Sequence, residues 1–202
     1  PECMKRVEAV RQFRYESSRA STKKMSEFPL QFGTSTIPDS NYVIIPKVSS
    51  ERRRYIPIGF MTPDNLCSDL VFVIPNATLY HFGILNSNVH MAWMRAVAGR
   101  LKSDYRYSKD IVYNNFSWCN PTEEQKQKIE QTAQAILDAR VLYPDCSLAD
   151  LYDEITMPPE LRKAHQANDR AVMQAYGFPV KNEFTESMCV AELMKMYRKL
   201  TE

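Results

Sequence analysis

The chain has 202 residues, of which 44% are hydrophobic and 25% charged, with a formal net charge of +2. This composition is typical of a globular protein with a substantial core and excludes a disordered chain, and no apolar run reaches the ~18 residues of a membrane-spanning helix. Five scattered cysteines and three scattered histidines predict neither a disulfide framework nor a metal cluster.

The first part of the chain predicts one helix followed by strands. Apolar spacing favours a basic helix over residues 2–19, and Ser17 to Ser26 is a polar, basic stretch that predicts a loop or a frayed extension. Short β-rich runs bounded by turn residues then follow. Because no helical pattern separates them, we expect an antiparallel sheet or a small barrel. The predicted strands are residues 42–45, 55–61, 70–74 and 79–85.

A helix is predicted next, capped by Asn86 or Ser87 and running to about Leu101. Its apolar surroundings indicate that His90, Met91 and Trp93 belong to the core. Residues 111–113 return to β character, and residues 113–116 are expected to form a packed turn. Thr122 is a predicted N-cap, and start signals favour helices over residues 122–142, 147–155, 159–176 and 186–200.

Charge changes sign near residue 120. Residues 1–120 hold 16 Lys and Arg against 10 Asp and Glu, whereas residues 121–202 hold 10 against 14. We therefore predict an α+β chain with two domains. Residues 1–120 form a β-rich domain with an N-terminal helix and an inserted helix, and residues 121–202 form an all-α domain. Because clustered cations release counterions from phosphates, a nucleic-acid face is expected in the first domain.

The segment from Gly99 to Ser108 (GRLKSDYRYS) mixes cations, one carboxylate and two tyrosines. Lys and Arg can donate to guanine edges or phosphates, and Asp can accept from the cytosine amino group. A purely electrostatic patch would not need Asp104. The segment therefore indicates reading of a base sequence, and a solvated charged loop is the alternative.

A second cationic run, Lys47 to Arg54 (KVSSERRR), joins two predicted strands. Four positive charges and two hydroxyls suit a phosphate clamp, although a solvated turn has the same composition. The N-terminal helix and the residues after it offer a further cationic strip. It comprises Arg11, Arg14, Arg19, Lys23 and Lys24.

Motifs of catalysis are missing from the sequence. Its five glycines form no Gly-x-Gly turn, and there is no phosphate loop and no Gly-x-Ser-x-Gly elbow. Asp104, Lys109 and Asp110 are the nearest approach to the carboxylates and lysine of a nuclease, and their spacing is unremarkable. We therefore expect no catalytic, cofactor or metal site among these residues.

Long segments closely resemble the MmeI-like enzymes, single-chain type IIL proteins, related to type IIG, that combine DNA methylation and restriction. The likeness covers nearly the whole chain. The segments are 49–59, 80–85, 90–95, 99–108, 112–116, 131–140, 151–154 and 158–165.

The resemblance implies that the chain holds a target-recognition domain and a C-terminal helical domain. Because the chain opens at Pro1 within a helical pattern, we expect it to be cut from a longer protein. An adenine-specific, S-adenosylmethionine-dependent methyltransferase and a nuclease that needs Mg²⁺ would lie upstream in that protein, in the bacterial cytoplasm.

The resemblance also implies roles for individual residues. Lys102 and Asp104 would act as a pair that selects one base pair, and Arg106 would select another together with a residue near Leu70. With Lys102 donating to guanine and Asp104 accepting from cytosine, the pair would read G·C in one orientation. The residues predicted to contact phosphates are Lys47, Ser49, Ser50, Arg52, Arg53, Arg54, Arg100, Tyr105, Tyr107 and Lys109.

The sequence thus predicts a module that recognises a specific site in double-stranded DNA and positions it for an upstream catalytic domain. Whether the chain itself is an enzyme stays open. One alternative is a protein-interaction scaffold whose cations serve solubility. Another is a self-contained, metal-dependent nuclease that uses Asp104 and Asp110. RNA binding is open on charge alone, without an RNA-recognition signature.

Overall fold

The computed structural model describes residues 1–33, 38–181 and 183–202. The chain divides into two compact units, Pro1–Ile37 and Pro38–Glu202. Helices and small antiparallel sheets occur together in the first part and helices alone follow, which confirms the α+β prediction. Among the described residues, no helix is both long and apolar enough to cross a membrane.

The first unit is helical, with α1 (Glu2–Tyr15), α2 (Ala20–Lys24) and a 3-10 turn at Met25–Glu27. The predicted helix is therefore shorter than expected, and part of the predicted loop is helical. The Arg14 guanidinium donates to three backbone carbonyl oxygens of the same unit, which belong to Met25, Phe28 and Gln31. Because these bonds occupy its guanidinium, Arg14 is not available to bind a ligand as part of the predicted cationic strip.

Two three-stranded antiparallel sheets open the second unit, and one extended segment contributes to both. In the first sheet, β1 (Tyr42–Pro46) lies between β3 (Gly59–Met61) and β4 (Val71–Pro75). In the second, β6 (Asp104–Arg106) lies between β2 (Val48–Ser49) and β5 (Gly99–Leu101).

A bend at Lys47 carries the segment from the first sheet to the second. The Lys47 N–H donates to the Leu70 carbonyl at 2.9 Å, and its carbonyl accepts from the Tyr107 N–H at 2.9 Å. Switching sheets at a bend is a known way to make a corner. Leu70 and Tyr107 are thereby hydrogen-bonded to the same residue, although they belong to different sheets.

The strand predictions are confirmed for residues 42–45 and 70–74, and only in part for residues 55–61. Pro57 lacks the N–H that a central strand needs, and the Ile58 N–H donates to the Ile56 carbonyl at 2.8 Å in a tight turn. Tyr55, Ile56 and Ile58 are nevertheless buried in the core.

The predicted strand at residues 79–85 is wrong, because these residues form α3 (Leu79–Leu85). Thr78 caps it, and the Thr78 N–H donates to Nδ1 of His81 at 3.1 Å. Phe82, Gly83, Ile84 and Leu85 are all buried. These four consecutive residues cover every side of the second half of α3, whereas the first half is partly buried. The buried half has no polar face and therefore no helical period in its sequence.

Helix α4 (Asn88–Val97) begins at the predicted cap Ser87, whose hydroxyl accepts from the His90 N–H at 3.3 Å. His90, Met91 and Trp93 are buried, which confirms their assignment to the core. The helix ends four residues before Leu101, because Gly99–Leu101 pairs as β5. The predicted strand at residues 111–113 is wrong, since Lys109–Tyr113 form a π-helical turn. Buried Phe116 agrees with the predicted packed turn.

The second half is helical as predicted, although the second of its helices is shorter than expected. Thr122 caps the first of these helices through its hydroxyl, which accepts from the Gln125 N–H at 3.2 Å. The helices are α5 (Glu123–Val141), α6 (Leu148–Leu151), α7 (Pro159–Ala175) and α8 (Glu186–Thr201).

Buried hydrogen bonds join the helical half to the strand-rich half within the second unit. The Asp169 carboxylate on α7 accepts from the Tyr55 hydroxyl at 2.6 Å and from the Asn88 N–H at 2.7 Å. The Asn168 side chain donates to the Gly83 carbonyl at 2.8 Å. Since these groups are withdrawn from water, each bond is costly to break, and the helical half braces the sheets.

Gly83 lies where α3 meets α5, and we expect Gly83→Ala to lower the free energy of unfolding. A Cβ there would lie 2.6 Å from Cγ2 of Ile129 and 3.2 Å from Cβ of Ala133. Overpacking of this kind costs about 1–3 kcal/mol. That cost exceeds the gain of roughly 1 kcal/mol in helix propensity. Urea denaturation measures the difference.

Gly33→Ala is the control, because a Cβ at Gly33 would meet nothing within 4 Å. We expect it to leave the free energy of unfolding nearly unchanged. A Gly83→Ala protein as stable as the original would contradict the close packing of α3 on α5.

Candidate nucleic-acid interface

The residues predicted to read bases lie on a short hairpin made of β5 and β6. Leu101 pairs with Asp104, so Lys102 and Ser103 form a two-residue turn. Lys102 is exposed and has φ of +56°, in the left-handed region that side chains other than glycine rarely adopt. A strained backbone persists where surrounding contacts hold it, and such strain is concentrated at functional sites.

Side chains alternate along β6 and sort the residues by face. Tyr105 points to the buried side and is 8% exposed. Asp104 and Arg106 lie on the opposite side, where Asp104 is half-buried and Arg106 exposed. The structure therefore brings Lys102, Asp104 and Arg106 together on one hairpin, with their charged groups on or near its accessible face.

Leu70 lies beside this hairpin. Its side chain is 70% exposed, and its carbonyl is bonded to Lys47, which is in turn bonded to Tyr107 next to Arg106. The placement agrees with a shared role for Leu70 and Arg106. That role stays a prediction.

The cationic run becomes a turn that packs beside the same hairpin. We call residues 50–54 the arginine turn. It follows directly from Ser49, which pairs with Tyr105. The Arg52 backbone N–H donates to the Ser50 hydroxyl at 3.3 Å, but within the described part of the chain no hydrogen bond or ion pair engages the guanidinium of Arg52 or Arg53. Both guanidinium groups are therefore available for an anionic ligand.

The arginine turn and the hairpin tip line a common pocket of about 240 Å³. It places cations next to the carboxylate of Asp104. Its lining residues are Ser50, Glu51, Arg52, Arg53, Ser103, Asp104 and Asp153.

A larger cleft of about 480 Å³ adjoins the arginine turn on the side of α4 and α8. Arg95 crosses it, bonded to both carboxylate oxygens of Glu186 at 2.7 and 2.8 Å and to the Arg54 carbonyl at 3.0 Å. This contact ties the arginine turn to α8. Arg95 therefore stabilises the arginine turn and is not itself free to bind a ligand.

Burial argues against phosphate contacts for three of the predicted residues, of which Tyr105 is 8% exposed and lies under the Arg100 guanidinium. Tyr107 is 3% exposed, and its hydroxyl lies 3.0 Å from Nε2 of His90. Burial raises the pKa of the Tyr107 hydroxyl and lowers the pKa of His90 to about 3. The Ser49 hydroxyl is also buried. All three side chains pack beneath the hairpin and are not offered to a ligand.

Three other predicted phosphate contacts have partners of their own. The Arg100 guanidinium lies over the Tyr105 ring, with 3.8 Å between its Cζ atom and the ring centroid. The Lys47 ammonium lies 5.2 Å from the centroid of the Phe72 ring, and the Lys109 ammonium lies 3.3 Å from the Asp110 carboxylate. Lys109 is exposed, so water competes with this ion pair.

Two acidic residues near the site were not predicted from the sequence. Glu51 lies 3.7 Å from the Arg100 guanidinium, and Asp153 reaches the pocket of Asp104 from the helical half. Glu51 lies within the cationic run. A single carboxylate among several cations indicates an ion pair within the protein, and this pattern could have identified Glu51 from the sequence. Nothing in the sequence marks Asp153.

Over residues 1–33, 38–181 and 183–202, no group of three or more His, Cys, Asp or Glu side chains is arranged to hold a metal ion. Asp110, which a nuclease would need, is instead close to Lys109 and Asn114.

Comparison with known proteins accounts for the whole chain. The family model described as MmeI, target recognition domain, matches residues 1–120, and the model described as MmeI, C-terminal domain, matches residues 121–202. The curated DNA methyltransferase A of Bacillus subtilis (strain 168) is 39% identical over 203 residues, covering 100% of this chain and 23% of that protein.

A solved structure of the type IIL restriction-modification enzyme MmeI in complex with DNA is also similar. Its sequence is 46% identical, the TM-score is 0.89, and the match covers 100% of this chain and 27% of that one. The chain thus spans about a quarter of the length of the relatives it matches.

Proposed function

Since the chain belongs to the MmeI family, by its target recognition and C-terminal domains, we propose that it recognises a specific base sequence in double-stranded DNA. The observation that carries the proposal is the grouping of Lys102, Asp104 and Arg106 on one hairpin, next to the arginine turn. A carboxylate among cations is what base reading needs, because phosphates alone would repel it.

In the proposed interface, Lys102 donates to the acceptor edge of a guanine and Asp104 accepts from the amino group of the paired cytosine. Arg106 reads a neighbouring base pair, with Leu70 packing beside it. The phosphates are held by the arginine turn, through Arg52, Arg53 and Arg54. Ser50 lines the same pocket as Arg52 and Arg53 and extends this contact, together with Lys47 and Lys109 in our proposal. These contacts position the duplex without specifying its sequence.

We propose that the two domains divide the work at residue 120. Residues 1–120 carry the cations and make the DNA contacts, whereas the acidic residues 121–202 brace the recognition domain. The buried bonds from Asp169 and Asn168 to the strand-rich half support this role. An acidic surface would repel phosphates, so the helical domain is not the principal DNA face.

We further propose that the chain works within a longer bacterial protein of the cytoplasm, which methylates adenine with S-adenosylmethionine and cleaves DNA with Mg²⁺. The domains for these reactions belong to the rest of that protein. The five glycines of this chain do not form a Gly-rich turn between a strand and a helix, so its residues do not fit the cofactor. Its own part is to place the duplex so that the target adenine can be flipped out.

Salt dependence of DNA binding tests the proposal. Each phosphate contact contributes about 0.9 to the slope of log K against log salt. We therefore expect the double variant Arg52→Ala/Arg53→Ala to weaken binding of a duplex and to lower this slope by about 2. Equilibrium binding is measured between the full-length protein and a duplex that contains the sequence it methylates, at salt concentrations from low to moderate.

The matched control removes two exposed charges from α8, as Lys195→Ala/Lys199→Ala. It changes the net charge equally and should leave the slope as it is. If both double variants change the slope alike, only net charge matters. Absence of any salt-sensitive DNA binding by the unaltered protein would instead favour the protein-interaction scaffold.

A further inference from the structure

The tip of the hairpin, residues 101–104, extends beyond the support of its sheet. Strand β2 pairs with Tyr105 and Arg106 and not with the tip, so no third strand of the described residues lies alongside it. The tip nevertheless holds Lys102 in a left-handed backbone conformation. Such a conformation needs contacts that fix it.

Arg100 makes those contacts. Its guanidinium lies over the ring of Tyr105, its cross-strand partner, at 3.8 Å from the ring centroid. It donates through Nη1 to the Ser103 carbonyl at 2.8 Å, and the same atom lies 3.7 Å from the Glu51 carboxylate. Among the described residues, this is the one side-chain hydrogen bond that reaches the tip.

Only an arginine can make all of these contacts at once. The planar guanidinium stacks on a ring by its face and donates hydrogen bonds at its edge, whereas the ammonium group of a lysine has no flat face. Tyr105 is itself fixed, since it is 8% exposed and pairs with Ser49 on its other side. The tip is thereby tied to a rigid part of the sheet.

We propose that Arg100 is a positioning residue, which fixes the turn so that Lys102 and Asp104 meet one base pair in register. This inference rests on the proposed function and assigns Arg100 a role other than phosphate binding. Its guanidinium already contacts Tyr105, Ser103 and Glu51, so binding a phosphate would compete with these contacts.

The role is confined to one base pair. Arg106 pairs with Val48 on one side and with Gly99 on the other, so its backbone is held from both sides without Arg100. Loss of the Arg100 contacts should therefore loosen Lys102 and Asp104 and leave Arg106 in place. A phosphate ligand would instead affect all base pairs equally.

The test is Arg100→Lys, with Arg198→Lys on the exposed surface of α8 as the matched control, each in the full-length protein. Both substitutions keep the positive charge. Methylated motifs are mapped in the DNA of cells that express each variant, and duplex binding is measured against salt. We expect Arg100→Lys to reduce discrimination at the base pair of Lys102 and Asp104 about tenfold. Discrimination elsewhere and the salt slope stay the same, and Arg198→Lys changes neither.

Three results would overturn the inference. Unchanged discrimination in Arg100→Lys, together with a salt slope lowered by about 1 in Arg100→Ala, would make Arg100 a phosphate ligand. Equal loss at every base pair would indicate general damage to the domain. If the unaltered protein shows neither a methylated motif nor sequence-dependent binding, the proposed function fails and this inference fails with it. If the unaltered protein reads a specific sequence and only the results expected for Arg100 fail, the proposed function stands and this inference alone is wrong.

Discussion

Exchanging the charges at the hairpin tip, as Lys102→Glu with Asp104→Arg, is expected to turn one recognised G·C pair into C·G. The arginine at 104 would donate to guanine where Asp104 accepted from cytosine, and the glutamate at 102 would accept where Lys102 donated. The two residues are separated only by Ser103, on a turn and at the start of β6. Both new side chains therefore face the same base pair as the original ones.

The size of the effect follows from the contacts exchanged. Each good bidentate contact with a base is worth about 1–3 kcal/mol of discrimination, so two of them decide which sequence is read. Lys102→Glu alone should abolish recognition of the original site, because it presents a carboxylate to the acceptor edge of guanine. Adding Asp104→Arg should restore activity at the inverted pair.

Mapping of methylated adenine in the DNA of cells that express the full-length variant measures the change. The matched control exchanges the exposed ion pair of α8, as Glu192→Lys/Lys195→Glu, which also keeps the net charge. We expect its motif to equal that of the original protein. A swap variant that methylates the original motif at a lower level would show that Lys102 and Asp104 contact only the backbone.

The sequence was sufficient for elements whose pattern is local. Caps at Ser87 and Thr122 and the strand at residues 42–45 are each specified by neighbouring residues. Residues 79–85 and 111–113 were predicted wrongly because their structure depends on contacts that neighbouring residues do not specify. The second half of α3 is buried on all faces, so its sequence shows no 3.6-residue period, and burial by α5 and α7 cannot be read locally.

The site was predictable in its residue types and not in its geometry. A carboxylate between cations marked Lys102, Asp104 and Arg106 as candidates, and the structure brings them together. The bend at Lys47, which joins Leu70 to the hairpin, depends on pairing between distant strands. The engagement of Arg100 by the Tyr105 ring depends on cross-strand register, which the sequence does not reveal because the hairpin itself was not predicted.

Two buried neutral histidines should make the protein less stable in acid. Burial lowers the pKa of His90 to about 3 and, with the positive charge of Arg140, lowers the pKa of His165 to about 3. Tyr152 accepts hydrogen bonds from Arg140, so its own proton is directed to Nε2 of His165, at 2.7 Å. This nitrogen is therefore an acceptor, and His165 is neutral in the folded chain.

The sign of the effect follows from proton binding. Between pH 6.5 and 3 the unfolded chain binds a proton at each histidine and the folded chain does not, so stability falls as pH falls. Each histidine removes about 1.4 kcal/mol per pH unit below pH 6.5. Asp169 acts in the opposite direction, because burial raises its pKa to about 6 and the folded chain binds that proton first.

From pH 7 to pH 5 these groups together should lower the free energy of unfolding by about 3 kcal/mol. Urea denaturation at several pH values in this range measures the slope of the free energy of unfolding against pH. This slope can be compared between proteins even where a variant is less stable at neutral pH.

Replacing either histidine, as His90→Gln or His165→Gln, should make this slope shallower. Asp169→Asn should make it steeper, since it removes the opposing contribution of that carboxyl. Stability that is independent of pH in the unaltered protein would mean that the buried histidines gain protons without unfolding, and that the core around Tyr107 and Tyr152 accommodates their charge.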